Sequence, residues 1–225
     1  MAENGSAEYH NATTLILVRH GETEGNVQQV WHGAMDAPLT TRGEKQVTAV
    51  AARLAEMQSE FPVEVMFVSP LPRAQSTANA IATAIGAEAQ TDEGLREFSL
   101  GDWEGRSFRD LKEAENLWGK WAADPAFAPP NGESPRSFNQ RVLAALQELA
   151  DRHPGQTILI VTHGGVICNA LASWIGDGPD DWRRFDPHNC SITVLRQDND
   201  DWLPLLVNDI RHLPQEARFD QTPEY

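Results

Sequence analysis

Three short runs of nearly unbroken apolar residues constrain this chain more than anything else in it: 14–19 (TLILVR), 63–68 (VEVMFV) and 157–162 (TILIVT). A strand with one face in water alternates polar and apolar side chains, whereas a strand covered on both faces does not. Such strands need helices above and below, and helical periodicity appears between them at 41–58, 72–85, 106–121 and 134–152. Strand patterns recur at 190–196 and 202–207. The alternation predicts an α/β fold: three layers, α/β/α, with a mostly parallel central sheet and a small helical cap inserted at about 100–135. Thr40 or Thr41 is placed to cap the 41–58 helix, with Glu44 completing a capping box. The stretch 123–135 holds four prolines and reads as a loop, and 214–225 reads as a loosely held tail. At 225 residues the chain suits one domain, 1–225, with a full core.

Charge narrows the partners. A formal net charge of −15 opposes binding to nucleic acid or an anionic membrane surface. A local cluster of Arg and His can still take a small anion against that field. No run approaches the ~18 apolar residues of a membrane span, and the acidic, polar opening lacks the order of a secretory signal. A cytoplasmic protein is expected, so the glycosylation-type triplets at Asn4 and Asn11 are read as chance. The two cysteines, Cys168 and Cys190, fit neither a disulfide framework nor a zinc site. The 190–207 strand region and the tail are open to use as homodimer edges.

The chemistry gathers where the strands end. In an open parallel sheet, ligands bind beyond the carboxyl ends of the strands. Strand 14–19 runs into Arg19-His20-Gly21, strand 63–68 into Ser69-Pro70-Leu71-Pro72-Arg73, and strand 157–162 into His163-Gly164-Gly165. Two histidines and two arginines therefore converge from distant parts of the chain. Arg offers a permanently charged fork to phosphoryl oxygens, and a neutral His can attack phosphorus. Helix N-termini after Gly21, Pro72 and Gly165 would add backbone N–H groups, and Asn26 another donor. A proton donor for the leaving oxygen is also needed. Glu97, flanked by apolar residues, is the first candidate, with Glu93, Asp102 and Glu104 as competitors.

These residues carry a resemblance. Arg19-His20-Gly21-Glu22-Thr23 with Asn26, then Leu39-Thr40-x-x-Gly43, Ser69-Pro70-x-x-Arg73-Ala74-x-x-Thr77-Ala78, Leu95-Arg96-Glu97 and Thr162-His163-Gly164-Gly165, resemble the histidine phosphatase superfamily. The nearer likeness is to cofactor-dependent phosphoglycerate mutases and their small phosphatase relatives, over roughly residues 14–213. The resemblance implies that His20 forms a phosphohistidine while Arg19, Arg73 and His163 clamp the transferring group. It further implies that Asn26, Thr23, Gly21 and Gly164 complete the pocket, and that Glu97 moves the proton. No metal or cofactor is implied, and the expected partner is a small phosphorylated metabolite. The short interval between Glu97 and His163 resembles the phosphatases more than the mutases. Two positions depart from the pattern: Gly25 stands where the mutases tend to have Trp, and His32 where relatives commonly have Gln. That makes His32 a candidate substrate contact, against the plainer reading of an incidental loop histidine.

Rival classes are weighed on the same residues. Cys190 to Arg196 fits a bare C-x5-R pattern, but its β-branched run reads as a strand rather than a phosphate cradle. A metallohydrolase would need ligand spacing that the His and Asp residues lack. A mutase, or a phosphate-binding relative without catalysis, remains the alternative to a phosphatase. Trp118 and Trp121 stand at i, i+3 and suit either core packing or a cap over the site, with Trp103 nearby.

Overall fold

A computed structural model describes residues 12–218 of the chain. Asn4, Asn11 and His10 lie outside the described residues, as does the tail from 219 onward. The three apolar runs become β1 (Thr14–Arg19), β2 (Val65–Val68) and β4 (Thr157–Thr162). A three-residue edge strand, β3 (Ala89–Thr91), joins them, with β5 (Ile192–Asp198) and β6 (Asp201–Asp209) on the other side. The sheet order is β3-β2-β4-β1-β5-β6. The pairs β1–β4, β4–β2 and β2–β3 are parallel, while β5 and β6 are antiparallel additions.

Each face of this sheet is covered, as the strand composition requires. On one face Leu15, Leu17, Ile158 and Ile160 pack with Phe138, Val142 and Leu146 of α6 (Pro135–Arg152) and Val166 and Ile167 of α7 (Gly164–Ile175). On the other, Ile16, Val18, Leu159 and Val161 meet Val47, Val50 and Leu54 of α2 (Thr41–Met57) and Ala74, Ala78 and Ile81 of α3 (Pro72–Ile85). All four side chains from Leu15 to Val18 are 0 % exposed. Each contributes roughly 1.5–3 kcal/mol by burial, which fixes β1 in the middle of the sheet.

Register then sets the site. Arg19 pairs with Thr162 across β1 and β4, and Val161 pairs with Val68 across β4 and β2. His20, His163 and Ser69 are the next residues on three adjacent parallel strands. They must emerge side by side.

Local details differ from the sequence-based expectation in three places. The 106–121 helix is two: α4 (Phe108–Glu113) and α5 (Leu117–Ala123). Asn116 separates them at φ 48°, a left-handed conformation that asparagine tolerates better than most residues. An added Cβ on Gly119 would lie 2.5 Å from the Asn116 side chain, so a bare residue there makes room for the break. Glu115 bridges it, paired with Arg106 at 2.7 Å and Lys120 at 3.5 Å. Thr40 is the N-cap of α2, accepting from the Gly43 amide at 2.9 Å. Glu44 lies one residue too far on to close a capping box, and its amide donates to the Thr40 carbonyl instead. The Thr40 hydroxyl donates to Glu22, a carboxylate 3 % exposed that also pairs with Arg42. Finally, residues 214–218 are held rather than loose: Ala217 is buried and its carbonyl accepts from Gln46 at 2.8 Å.

Candidate active site

His20 and His163 lie edge to face with ring centroids 5.2 Å apart, 3 % and 0 % exposed. His20 Nδ1 lies 2.8 Å from the Gly21 carbonyl. A carbonyl only accepts, so Nδ1 carries the proton and Nε2 keeps its lone pair. Arg73 Nε donates to that Nε2 at 3.3 Å. The other two arms of the Arg73 guanidinium are anchored, Nη1 to Met35 O at 2.9 Å and Nη2 to Gly33 O at 2.8 Å. Burial pushes the Arg73 cation below its ordinary range, with Glu97 and Asp36 pulling the other way.

Arg19 donates to the Pro187 carbonyl and lies over Gly164, where an added Cβ would sit 3.3 Å from Nε and 3.5 Å from Cζ. His163 Nε2 is 2.7 Å from Ser69 Oγ, while its Nδ1 has no hydrogen-bond partner. Ser69 Oγ accepts from the Leu71 amide at 3.3 Å, which leaves its proton for His163 Nε2. Burial, reinforced by Arg73, His20 and Arg19, holds the His163 pKa well below its usual value. This imidazole is neutral, and Nδ1–H is the donor it has to offer.

Glu97 is half-buried and doubly held. Oε1 accepts from the Phe98 amide at 2.9 Å and Oε2 from the Gly165 amide at 3.1 Å. Gly165 allows this approach, since an added Cβ would stand 2.3 Å from Oε1. Arg141 braces the segment from behind, donating to the carbonyls of Gly94, Arg96 and Glu97 while pairing with Glu133 at 2.8 Å.

A cavity of about 800 Å³ lies beside this group, although His20 and His163 are not themselves among its lining residues. Arg19, Arg73, Glu97, Gly164, Thr23, Asn26 and His32 all line it. Asn26 forms a capping box with Thr23, and its Oδ1 accepts from Thr23 N, Thr23 Oγ1 and Asn189 Nδ2. That leaves Nδ2 as its donating end. Gly21 does not line the cavity: its carbonyl holds His20, and its amide donates to Thr77 Oγ1 at 3.1 Å. The expected anion-binding amides after Gly21 are likewise committed. Glu22 N goes to Gln46, Thr23 N to Asn26 and Glu24 N to Pro38. At the expected N-terminus of α7, the Gly165 amide donates to Glu97.

Trp118 and Trp121 combine both readings of the sequence, packing on the core and lining the cavity. Trp103 does not line it and packs on Phe127 beneath Lys120. Three residues that hold the site had no assigned role in the sequence: Ser69, Arg141 and Asn189, which donates to the His20 carbonyl at 2.9 Å. Ser69 could have been found from strand register; the other two lie on distant elements with no local signature. Cys190 is 0 % exposed and its thiol is pushed far up by burial, so it has neither access nor thiolate character. Among the described residues, no three His, Cys, Asp or Glu side chains cluster to hold a metal ion, and no helix is long and apolar enough to cross a membrane.

The α/β sheet brings two histidines and two arginines together beyond the ends of β1, β2 and β4, with the Glu97 carboxyl group beside them on the segment after Leu95. The chain belongs to the histidine phosphatase superfamily (branch 1), whose pattern it matches over residues 15–210. It is 33 % identical over 210 residues to the probable phosphoglycerate mutase GpmB of Escherichia coli, covering 90 % of this chain and 96 % of that one. Among solved structures it is similar to YhfR of Bacillus stearothermophilus, with TM-score 0.79, 32 % identity, and 90 % and 100 % of the two chains covered. A phosphoserine phosphatase from Entamoeba histolytica, crystallised with 3-phosphoglyceric acid, gives TM-score 0.79, 30 % identity and the same coverage.

Proposed function

We propose that this protein is a phosphomonoester phosphatase acting through a phosphohistidine on His20, with a small phosphorylated metabolite as substrate. The observation that carries this reading is the state of His20: Nδ1 is tied to Gly21 and the Nε2 lone pair points at a buried guanidinium. As phosphorus approaches, the phosphoryl oxygens take over the Arg73 N–H and free that lone pair. His20 Nε2 forms the P–N bond while the ester P–O bond breaks, and Glu97 gives its proton to the leaving oxygen. Arg19, Arg73, the Nδ1–H of His163 and Asn26 Nδ2 hold the equatorial oxygens as charge shifts onto them. Water then attacks phosphorus, Glu97 takes its proton, and the P–N bond breaks to release phosphate. The clamp draws its charge from side chains, and no step calls on a metal.

Relatives at similar identity carry both mutase and phosphatase names. Water as the final acceptor is supported by the interval between Glu97 and His163, where two helices of six and seven residues precede α6. A panel of phosphomonoesters should show phosphate release that His20→Ala abolishes, with acid-labile phosphate trapped on the wild-type protein alone. Hydrolysis that survives His20→Ala would sink the mechanism. Transfer of phosphate to a second metabolite faster than to water would favour the mutase.

A further inference from the structure

Gly25 sits inside the single-turn helix α1 (Glu24–Val27) with no positive φ, so its backbone does not need glycine. Glycine in a helix is unfavourable relative to alanine. What requires it is His32: a Cβ on Gly25 would stand 1.8 Å from Cε1 and 2.0 Å from Nδ1 of that imidazole. The ring occupies the space a side chain would fill. These are also the two positions at which the sequence leaves the pattern it resembles.

The seat is rigid on both sides. His32 Nδ1 lies 3.1 Å from the Val30 carbonyl, so Nδ1 carries the proton and Nε2 is the atom left to meet a ligand. The loop beyond is fastened through Gly33 O and Met35 O to Arg73, the same guanidinium that holds His20. His32 itself lines the cavity beside Asn26 and Trp31. An imidazole fixed next to the proposed phosphoryl clamp, in a cavity that Trp31, Trp118 and Trp121 also line, is a polar contact for whatever is attached to the phosphate.

We propose that Gly25 and His32 form one specificity element, resting on the phosphatase reading above. Gly25 provides the bare seat, and His32 Nε2 hydrogen-bonds a polar group on the leaving alcohol. The favoured substrates are then phosphoesters of polyols, sugars or hydroxy and amino acids rather than of plain alkyl alcohols.

Glycerol phosphate and propyl phosphate share a three-carbon body and differ in two hydroxyls, which makes them the test pair. The wild-type kcat/KM should favour glycerol phosphate by about tenfold or more, and His32→Leu should bring the ratio near one while His32→Gln keeps part of it. Gly25→Ala should cost about tenfold on glycerol phosphate, and that penalty should nearly vanish in a His32→Ala background, because the clash is gone. An equal Gly25→Ala penalty in both backgrounds, or a ratio unmoved by His32→Leu, overturns the proposal and leaves the phosphatase reading standing. Absence of turnover of every phosphoester, with no phosphohistidine trapped, overturns both. Should Gly25→Ala fail to fold, the His32→Leu ratio decides alone.

Discussion

Arg73 Nε donates to His20 Nε2 at 3.3 Å, so the proposed nucleophile and a buried cation are held as one unit. The other two arms of the guanidinium are spent on backbone carbonyls, which fixes the fork in a single orientation. A lysine cannot reproduce three directed donors. Arg73→Lys should therefore lower kcat by about 100-fold or more, the scale for losing a transition-state donor, with a smaller change in KM. Steady-state kinetics on any hydrolysed ester decides it, and a near-normal kcat would show that charge alone suffices.

Ser69 sets the tautomer of His163 through the 2.7 Å contact to Nε2. Ser69→Ala removes about 1 kcal/mol of net hydrogen bonding, enough for roughly a fivefold loss in kcat. Ser69→Thr, which keeps the hydroxyl, should recover most of it. Equal losses in both variants would point to packing instead.

Arg141 does not line the cavity, yet it holds three carbonyls of the segment that carries Glu97. It is a positioning residue. Arg141→Lys should lower kcat about tenfold while KM holds, and the acid and alkaline limbs of the kcat–pH profile should move, because the proton donor is displaced. A loss confined to thermal stability would rule this out.

His163 also links stability to pH. Its folded pKa is depressed by burial, so between that value and the unfolded value near 6.5 the unfolded chain binds more protons. Stability is fully present above about pH 6.5 and falls as pH drops below it. His212, also lowered by burial, adds in the same direction. Urea midpoints taken between pH 7.5 and 5.5 should decline, and His163→Gln should flatten the slope. An unchanged slope in that variant would place the titration elsewhere.

The sequence was most readable where one force dominated. Apolar runs at 14–19 and 157–162 could be little else than buried parallel strands, and their ends named the clamp. Asn116 was harder to read, because one left-handed residue within an otherwise continuous helical pattern leaves the periodicity intact. The three-residue β3 is too short to carry a pattern at all. Gly21 looked like a phosphate ligand by position, but Thr77, on α3, takes its amide. Arg141 and Asn189 reach the site across long stretches of chain, and no local spacing reveals a contact made in three dimensions.

The same long reach governs how the protein comes into being. Arg19 and His20 emerge early from the ribosome, yet their partners Pro187 and Asn189 follow 168 and 169 residues later. Apart from the Gly21 carbonyl on Nδ1, the pairings of His20 with Arg73 and Asn189 are non-local, the kind that forms slowly. A nascent chain thus carries His20 long before it carries the residues that enclose it. The surroundings of His20 are therefore completed late in synthesis, and truncation before Pro187 leaves a chain that holds this histidine without the contacts made by Pro187 and Asn189.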